Sequence, residues 1–245
     1  MISYGRVLDS LERENDMSWN DNGVIPKWLY DVIVSPRIDY RTGFCSFYAI
    51  GCIVSLGLLC YRPHNCISSR WKEQDCLPLL LFLLHTSRRL YETLYVHIYS
   101  KRRMHSLHWL AGASYYLLTA LTFGGLPTKE PCYCGNRFSS RKWFVLCVFV
   151  ASKVQQYDCH RHLAQGRRDG NHKERYFIPY RGLFRYMTCP HYLLEMIIYG
   201  CLVLCVGCTR NSLVNFCFVV LNLSSRWVDT RRWYANYFGR HVGFR

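Results

Sequence analysis

Six apolar blocks separated by basic gaps limit this chain more than any other feature. Gly43–Cys60 runs for 18 residues without a charge, close to the roughly 17–25 residues a membrane-spanning helix needs. Leu77–Ile98, Ser106–Leu126, Trp143–Ser152, Tyr192–Cys208 and Leu213–Leu223 follow. Charged residues make up only 19% of the chain, against roughly 25% in an average soluble protein. The pattern predicts an all-α fold, a polytopic transmembrane helix bundle of about six spans with a cytosolic loop between the fourth and fifth. The shorter blocks fit buried core helices equally well by length, so a soluble helical protein is the competing architecture.

The charges bear on the same question. The chain has 31 Lys and Arg against 16 Asp and Glu, a net charge of +15. If the six blocks alternate sides, one side holds 21 of the basic residues and the other 8. Lys- and Arg-rich loops stay cytoplasmic on membrane insertion, which places both termini and the 153–191 loop in the cytosol of a multi-pass protein. The basic residues form no continuous stripe, which excludes a nucleic-acid partner. Phosphates of a cofactor and of membrane lipid remain. A hydrophobic content of 50% excludes a disordered chain, and the 14 cysteines are scattered through apolar runs rather than spaced as a disulfide framework. Residues 1–42 form a polar arm with 7 of the 16 acids and no signal-peptide core. Residues 43–245 form the membrane-embedded domain.

Ionisable groups inside apolar blocks are costly and point to a polar interior site. His85, Arg88, Arg89 and Glu92 follow the i, i+3, i+4, i+7 spacing of one helix face; the alternative is a helix end whose arginines snorkel to the headgroups. Glu195, between Leu194 and Met196, invites the same reading. The 153–191 segment gathers Gln155, Gln156, His160, His162, Arg167 and Arg168 with glycines and the aromatic Tyr176, Phe177 and Tyr180. That mixture suits a phosphate-bearing nucleotide with a stacked base, or a basic loop lying on anionic lipid. Cys159-x-x-His162 and Cys132-x-Cys134 lack the second ligand pair of a zinc site, so no metal is expected. No Walker or dinucleotide fingerprint occurs.

At these residues the sequence resembles the steroid 5-alpha-reductase family, polyprenol reductase branch. The motif Leu84-His85-Thr86-Ser87-Arg88-Arg89-Leu90-Tyr91-Glu92 is similar to that branch's hallmark, and the likeness continues through Tyr95, Tyr99, His105 and Tyr115-Tyr116. A second stretch runs from Gln156-Tyr157-Asp158-Cys159-His160 to Arg167, and a third from Ile178-Pro179 through Cys189-Pro190-His191 and Glu195 to Tyr199. The resemblance implies a multi-span reductase of the endoplasmic reticulum membrane that uses NADPH and acts on a polyisoprenoid lipid in dolichol synthesis for protein N-glycosylation. It places Arg89, Gln156, His160, Arg167, Tyr176, His191 and Tyr234 at the cofactor. Arg231 stands where the family usually has a His, and residues 239–245 differ from the family's usual tail.

Hydride addition to an isolated C=C has no electron sink, whereas an α,β-unsaturated aldehyde collects the arriving charge on its oxygen. A polyprenal is therefore favoured over a polyprenol as the species reduced. The reaction needs a donor to the oxyanion and a proton source: His85 and Tyr91 are the candidates, with Glu92 as orienter and Glu195 on the substrate. Two other readings stay open: a catalytically lapsed relative that binds lipid or a membrane partner, and a steroid or enoyl-thioester reductase of the same fold. The oligomeric state is not legible.

Overall fold

The computed structural model describes residues 36–64, 76–99, 103–124, 140–169 and 177–238. Most of the polar arm, residues 1–35, lies outside them, as do Tyr176 and the tail from 239. Within the described residues the chain runs β1 (Pro36–Asp39), α1 (Tyr40–His64), α2 (Leu77–Tyr91), a π turn (Glu92–Val96), β2 (Arg103–His105), α3 (Ser106–Phe123), α4 (Ser140–Asp169), a 3-10 turn (Gly182–Arg185), α5 (Pro190–Val206) and α6 (Arg210–Phe238).

Local chemistry sets several of these boundaries. The Asp39 carboxylate accepts the Thr42 N–H at 2.9 Å, capping α1. Proline in the first turn, where its missing N–H costs nothing, opens both α2 and α5. The two strands pair antiparallel, Ile38 opposite Met104 and Asp39 opposite Arg103. They tie the start of α1 to the start of α3, and Phe47, Met104 and Ala113 bury a small core beneath them. The main core joins α2 to α6 through Phe82, Phe123, Phe149, Tyr199, Leu202 and Val219. Asn215 of α6 reaches α3 by donating to Thr119 Oγ1 at 2.6 Å and accepting from Tyr115 Oη at 3.3 Å.

The six blocks become six α-helices in the expected order, but the six-span transmembrane architecture does not hold. Among the described residues one helix segment, Tyr40–Tyr61, is long and apolar enough to cross a membrane; the apolar Pro190–Val206 falls short of that length. The reason is where the polar residues go. Helix α2 has 15 residues, and its second half carries Arg88 and Arg89. Helix α3 includes His108, Trp109, Tyr115 and Tyr116. The apolar runs of α4 and α6 are only parts of helices of 30 and 29 residues whose remainder is polar. The expected multi-pass localisation with both termini cytosolic rested on counting those runs as spans, and it falls with them. The 153–191 segment is also not a loop: residues 153–169 continue α4 without a break. Gly166 in that stretch serves packing. A β-carbon there would lie 2.1 Å from Phe177 Cζ, so only glycine lets the returning chain lie against the helix.

Candidate active site

The predicted stripe of α2 points into the bundle and builds a connected polar chain. Glu92 is fully buried and receives Arg88 Nη1 at 2.5 Å and Arg89 Nη1 at 2.7 Å. His160 Nδ1 lies 2.9 Å from its Oε2. Arg88 donates its other Nη to Gln156 Oε1, and Gln156 Nε2 donates to Glu195 Oε2. Gln156 Nε2 also donates to the His191 carbonyl at 3.1 Å. His85 Nε2 closes the far end on Glu195 Oε1 at 3.1 Å. At the near end, Arg89 Nη2 donates to Tyr48 Oη at 2.8 Å. One hydrogen-bonded chain therefore joins α1, α2, α4 and α5.

Charge balance follows from that connectivity. Burial alone would raise the Glu92 carboxyl, but the His160 and His97 hydrogen bonds and the Arg89 charge hold it well below the usual carboxylate range. Burial, reinforced by Arg89, pushes His160 down to about 3, so it stays neutral. Burial also keeps the His191 imidazole well below its ordinary value, with His160 adding to the effect. Lys153, over the Phe149 ring, falls to about 8 through burial and the neighbouring Arg88. Glu92, His97 and His160 bring ligand atoms within 4.8 Å of one another, a set that could hold a metal ion. The Arg89 guanidinium stands among them, 2.7 Å from the carboxylate and 3.0 Å from His160 Nδ1, and supplies the positive charge itself.

Beside this chain lies a cavity of about 350 Å³, within the size range of small-molecule sites. Arg89, Gln156, His160, His191 and Glu195 line its polar side; Phe44, Phe47, Tyr48, Gly112, Tyr115, Tyr116, Tyr199, Phe218 and Leu223 line much of the rest, with His108, Asn222 and Arg226. Four of the seven positions expected at the cofactor thus meet at one cavity. Arg167 instead donates to the Ile98 carbonyl, Tyr234 is buried against Trp233 and Phe238, and Tyr176 lies outside the described residues. Of the residues assigned to the chemistry, Glu195 lines the cavity. His85 and Glu92 stand behind its wall as partners of Glu195 and Arg89. Tyr91 is 51% exposed and packs on Tyr95, away from the cavity.

Sequence reasoning gave no role to Tyr48, Tyr116, Tyr199, His97 or Arg226. Tyr48 and Tyr116 sit in apolar runs, where an aromatic residue looks like core. Only the Arg89 contact distinguishes Tyr48. Arg231 is exposed on α6 and does not line the cavity.

A cofactor with an amide and phosphates fits these residues. His191 Nδ1 is buried without a hydrogen-bond partner among the described residues. Such an orphan is costly, and a polar group bound in the cavity would satisfy it. Arg226 adds a cation to the lining.

Comparison with known proteins places the chain. The polyprenal reductase of Caenorhabditis elegans is 26% identical over 272 aligned positions, covering 98% of this chain and 82% of that protein. Polyprenal reductase 1 of Arabidopsis thaliana is 29% identical over 196 positions, 68% of this chain and 61% of its own length. The polyprenal reductase of Danio rerio is 33% identical over 152 positions, 56% of this chain and 48% of its own. The chain thus spans about four fifths of the nematode relative but only about half to three fifths of the plant and fish ones. A family model described as 3-oxo-5-alpha-steroid 4-dehydrogenase matches residues 97–245, well over half of the chain. By that match, this chain belongs to the 3-oxo-5-alpha-steroid 4-dehydrogenase family.

Proposed function

We propose that the chain is an NADPH-dependent reductase of the α-isoprene double bond of a polyprenal, a step in making dolichol for protein N-glycosylation. The observation that carries this reading is the Tyr48 hydroxyl. It lines an aromatic-walled cavity and already accepts a hydrogen bond from Arg89 at 2.8 Å. With its lone pair engaged by a guanidinium, the phenol's own proton is left for the cavity. A hydroxyl so polarised donates more strongly to an oxygen that is gaining charge.

NADPH, when bound, supplies the hydride. His191 Nδ1 and the Glu195 carboxylate are the groups placed to hold its amide, with Arg226 the cation for its phosphates. With the hydride that NADPH would supply to the β-carbon of the enal, charge would collect on the aldehyde oxygen, to which the Tyr48 hydroxyl would donate. A proton then reaches the α-carbon to give the saturated aldehyde. Tyr116, edge-on to Tyr48 with ring centres 5.2 Å apart, lines the same cavity and is a second phenol for that transfer. Arg89 holds Tyr48, and Glu92 holds Arg89. The aromatic wall excludes water and accepts the isoprenoid chain, and the names of the relatives support an isoprenoid aldehyde. Apolar residues more than half exposed, among them Ile53, Leu118, Phe144 and Leu221, support work at a lipid surface.

The test is purified protein in detergent with NADPH, given a polyprenal or the matching polyprenol. The aldehyde should be saturated and the alcohol left unchanged. Tyr48→Phe should lower turnover by roughly 10²–10³-fold with NADPH affinity nearly unchanged. Reduction of the alcohol without an aldehyde intermediate would reject the electronic basis. Failure to bind NADPH would favour a lapsed relative.

A further inference from the structure

Glycine is a poor residue for the middle of a helix, yet Gly112 sits in α3 where the helix faces α1. A β-carbon at that position would lie 2.4 Å from Phe47 Cζ and 2.7 and 2.8 Å from its two Cε atoms, so no side chain fits there while Phe47 stays in place. Both residues line the cavity. Phe47 is 3% exposed and held on its protein sides. Tyr116 stacks on it at 6.1 Å and 11°, Phe44 meets it edge-on at 5.6 Å, and Met104 and Ala113 pack around it. The free side left to the ring is the cavity.

We propose that Gly112 is a specificity-determining residue: by letting Phe47 lie back against α3, it keeps the substrate slot wide enough for a methyl-branched chain. An isoprenoid carries a methyl branch on every fourth backbone carbon, whereas a straight-chain enal carries none. Space beside Phe47 therefore separates two substrates with the same reacting group. This rests on the enal-reductase reading, in which NADPH would provide a hydride to the β-carbon and a cavity phenol, reprotonated from solvent after turnover, the proton to the α-carbon. It adds to that reading which enals are accepted.

The experiment compares farnesal, a branched 2-enal, with trans-2-dodecenal, a straight one. NADPH oxidation gives turnover, and quenching of tryptophan fluorescence without cofactor gives binding. Wild type should prefer farnesal in both assays. Gly112→Ala should push Phe47 into the slot and lower the farnesal-to-dodecenal ratio by about tenfold or more, as one methylene's worth of lost space does in an apolar pocket. Adding Phe47→Leu to Gly112→Ala should restore the ratio. Equal losses on both aldehydes, or an unchanged ratio, would overturn the proposal. If Gly112→Ala fails to fold, Phe47→Leu alone decides: it removes atoms from the slot wall and should raise the ratio, and no change would overturn the proposal. If wild type oxidises no NADPH with either aldehyde, the reductase reading fails. The binding ratio and its response to Gly112→Ala then still support or overturn the role of Gly112.

Discussion

Among the described residues, Glu92 and Glu195 are acids that stand inside the bundle, the first fully and the second mostly buried, and they are used in opposite ways. Glu92 is enclosed by Arg88, Arg89 and His160, with His97 at 3.9 Å, and it does not reach the cavity. Glu195 has His85 and Gln156 as partners, keeps 14% of its side chain exposed, and lines the cavity. The first is matched by fixed cations and fixes Arg89 in turn. The second is held by groups that need carry no charge, and its carboxylate is left available to a ligand. A carboxylate in an apolar helix is thus not by itself a sign of chemistry. Whether its partners leave any of it open to a cavity decides.

Removing the charge from each acid should separate these roles. Glu92→Gln leaves Arg88 and Arg89 buried beside a neutral amide, and breaking a buried pair in that way costs about 3–5 kcal/mol. Chemical denaturation in detergent should show it as the largest loss of stability at this site. Glu195→Gln should cost less, about 1–3 kcal/mol, because His85 can still donate to an amide oxygen. Its larger effect should be weaker NADPH binding, by about tenfold or more, read by fluorescence titration. Equal stability losses would erase the distinction between the two acids.

Acid should probe the closed cluster. His160 has its pKa lowered from an ordinary 6.5 to about 3, so its contribution to stability is complete above pH 6.5. It is lost progressively as pH falls from there towards 3, because the unfolded chain takes up the proton first. Glu92, whose pKa is also lowered, adds its own loss below its ordinary 4.5. The denaturation midpoint should therefore begin to drop near pH 6.5, and His160→Gln should remove its share of the slope above 4.5. His85, His97 and His191, lowered in the same direction, retain theirs. The smallest effect belongs to Tyr91→Phe: half-exposed and off the cavity, it should leave turnover within about twofold and stability within about 0.5 kcal/mol.

The order and type of the helices were legible because apolar runs are local signals. The stripe at 85, 88, 89 and 92 was legible because helical spacing alone puts those side chains on one face. The membrane count was not. An apolar run gives no warning that its helix continues into polar sequence, as α4 does from Phe149 through Gln156 to Arg167. Nor could spacing tell that Arg167 would turn to the Ile98 carbonyl while Gln156 and His160, one and two turns from Ser152, face the cavity. Tyr48 was hidden for the same reason: its importance lies in a contact with Arg89, 41 positions away, and no periodicity within α1 reports it. His85 was read as part of a polar interior group and as a catalytic candidate; in the structure Glu195 of α5 stands between it and the cavity, a placement that spacing within α2 does not report.

The π turn after α2 bears on how the chain tolerates a change of length. Its wide loop, closed by the His97 N–H on the Glu92 carbonyl at 2.7 Å, holds one residue more than an α-turn would. Loss of one residue from 93–96 would let the helix run on in regular form, and every later position would swing by about 100° around the axis. Arg88, Arg89 and Glu92 precede the change and would keep their contacts. His97 would leave the Glu92 cluster, and Tyr99 would lose Thr93, to which its hydroxyl now donates at 3.3 Å. A single-codon deletion would thus divide the site at one peptide bond, leaving its charge pairing on one side and the connection to β2 on the other.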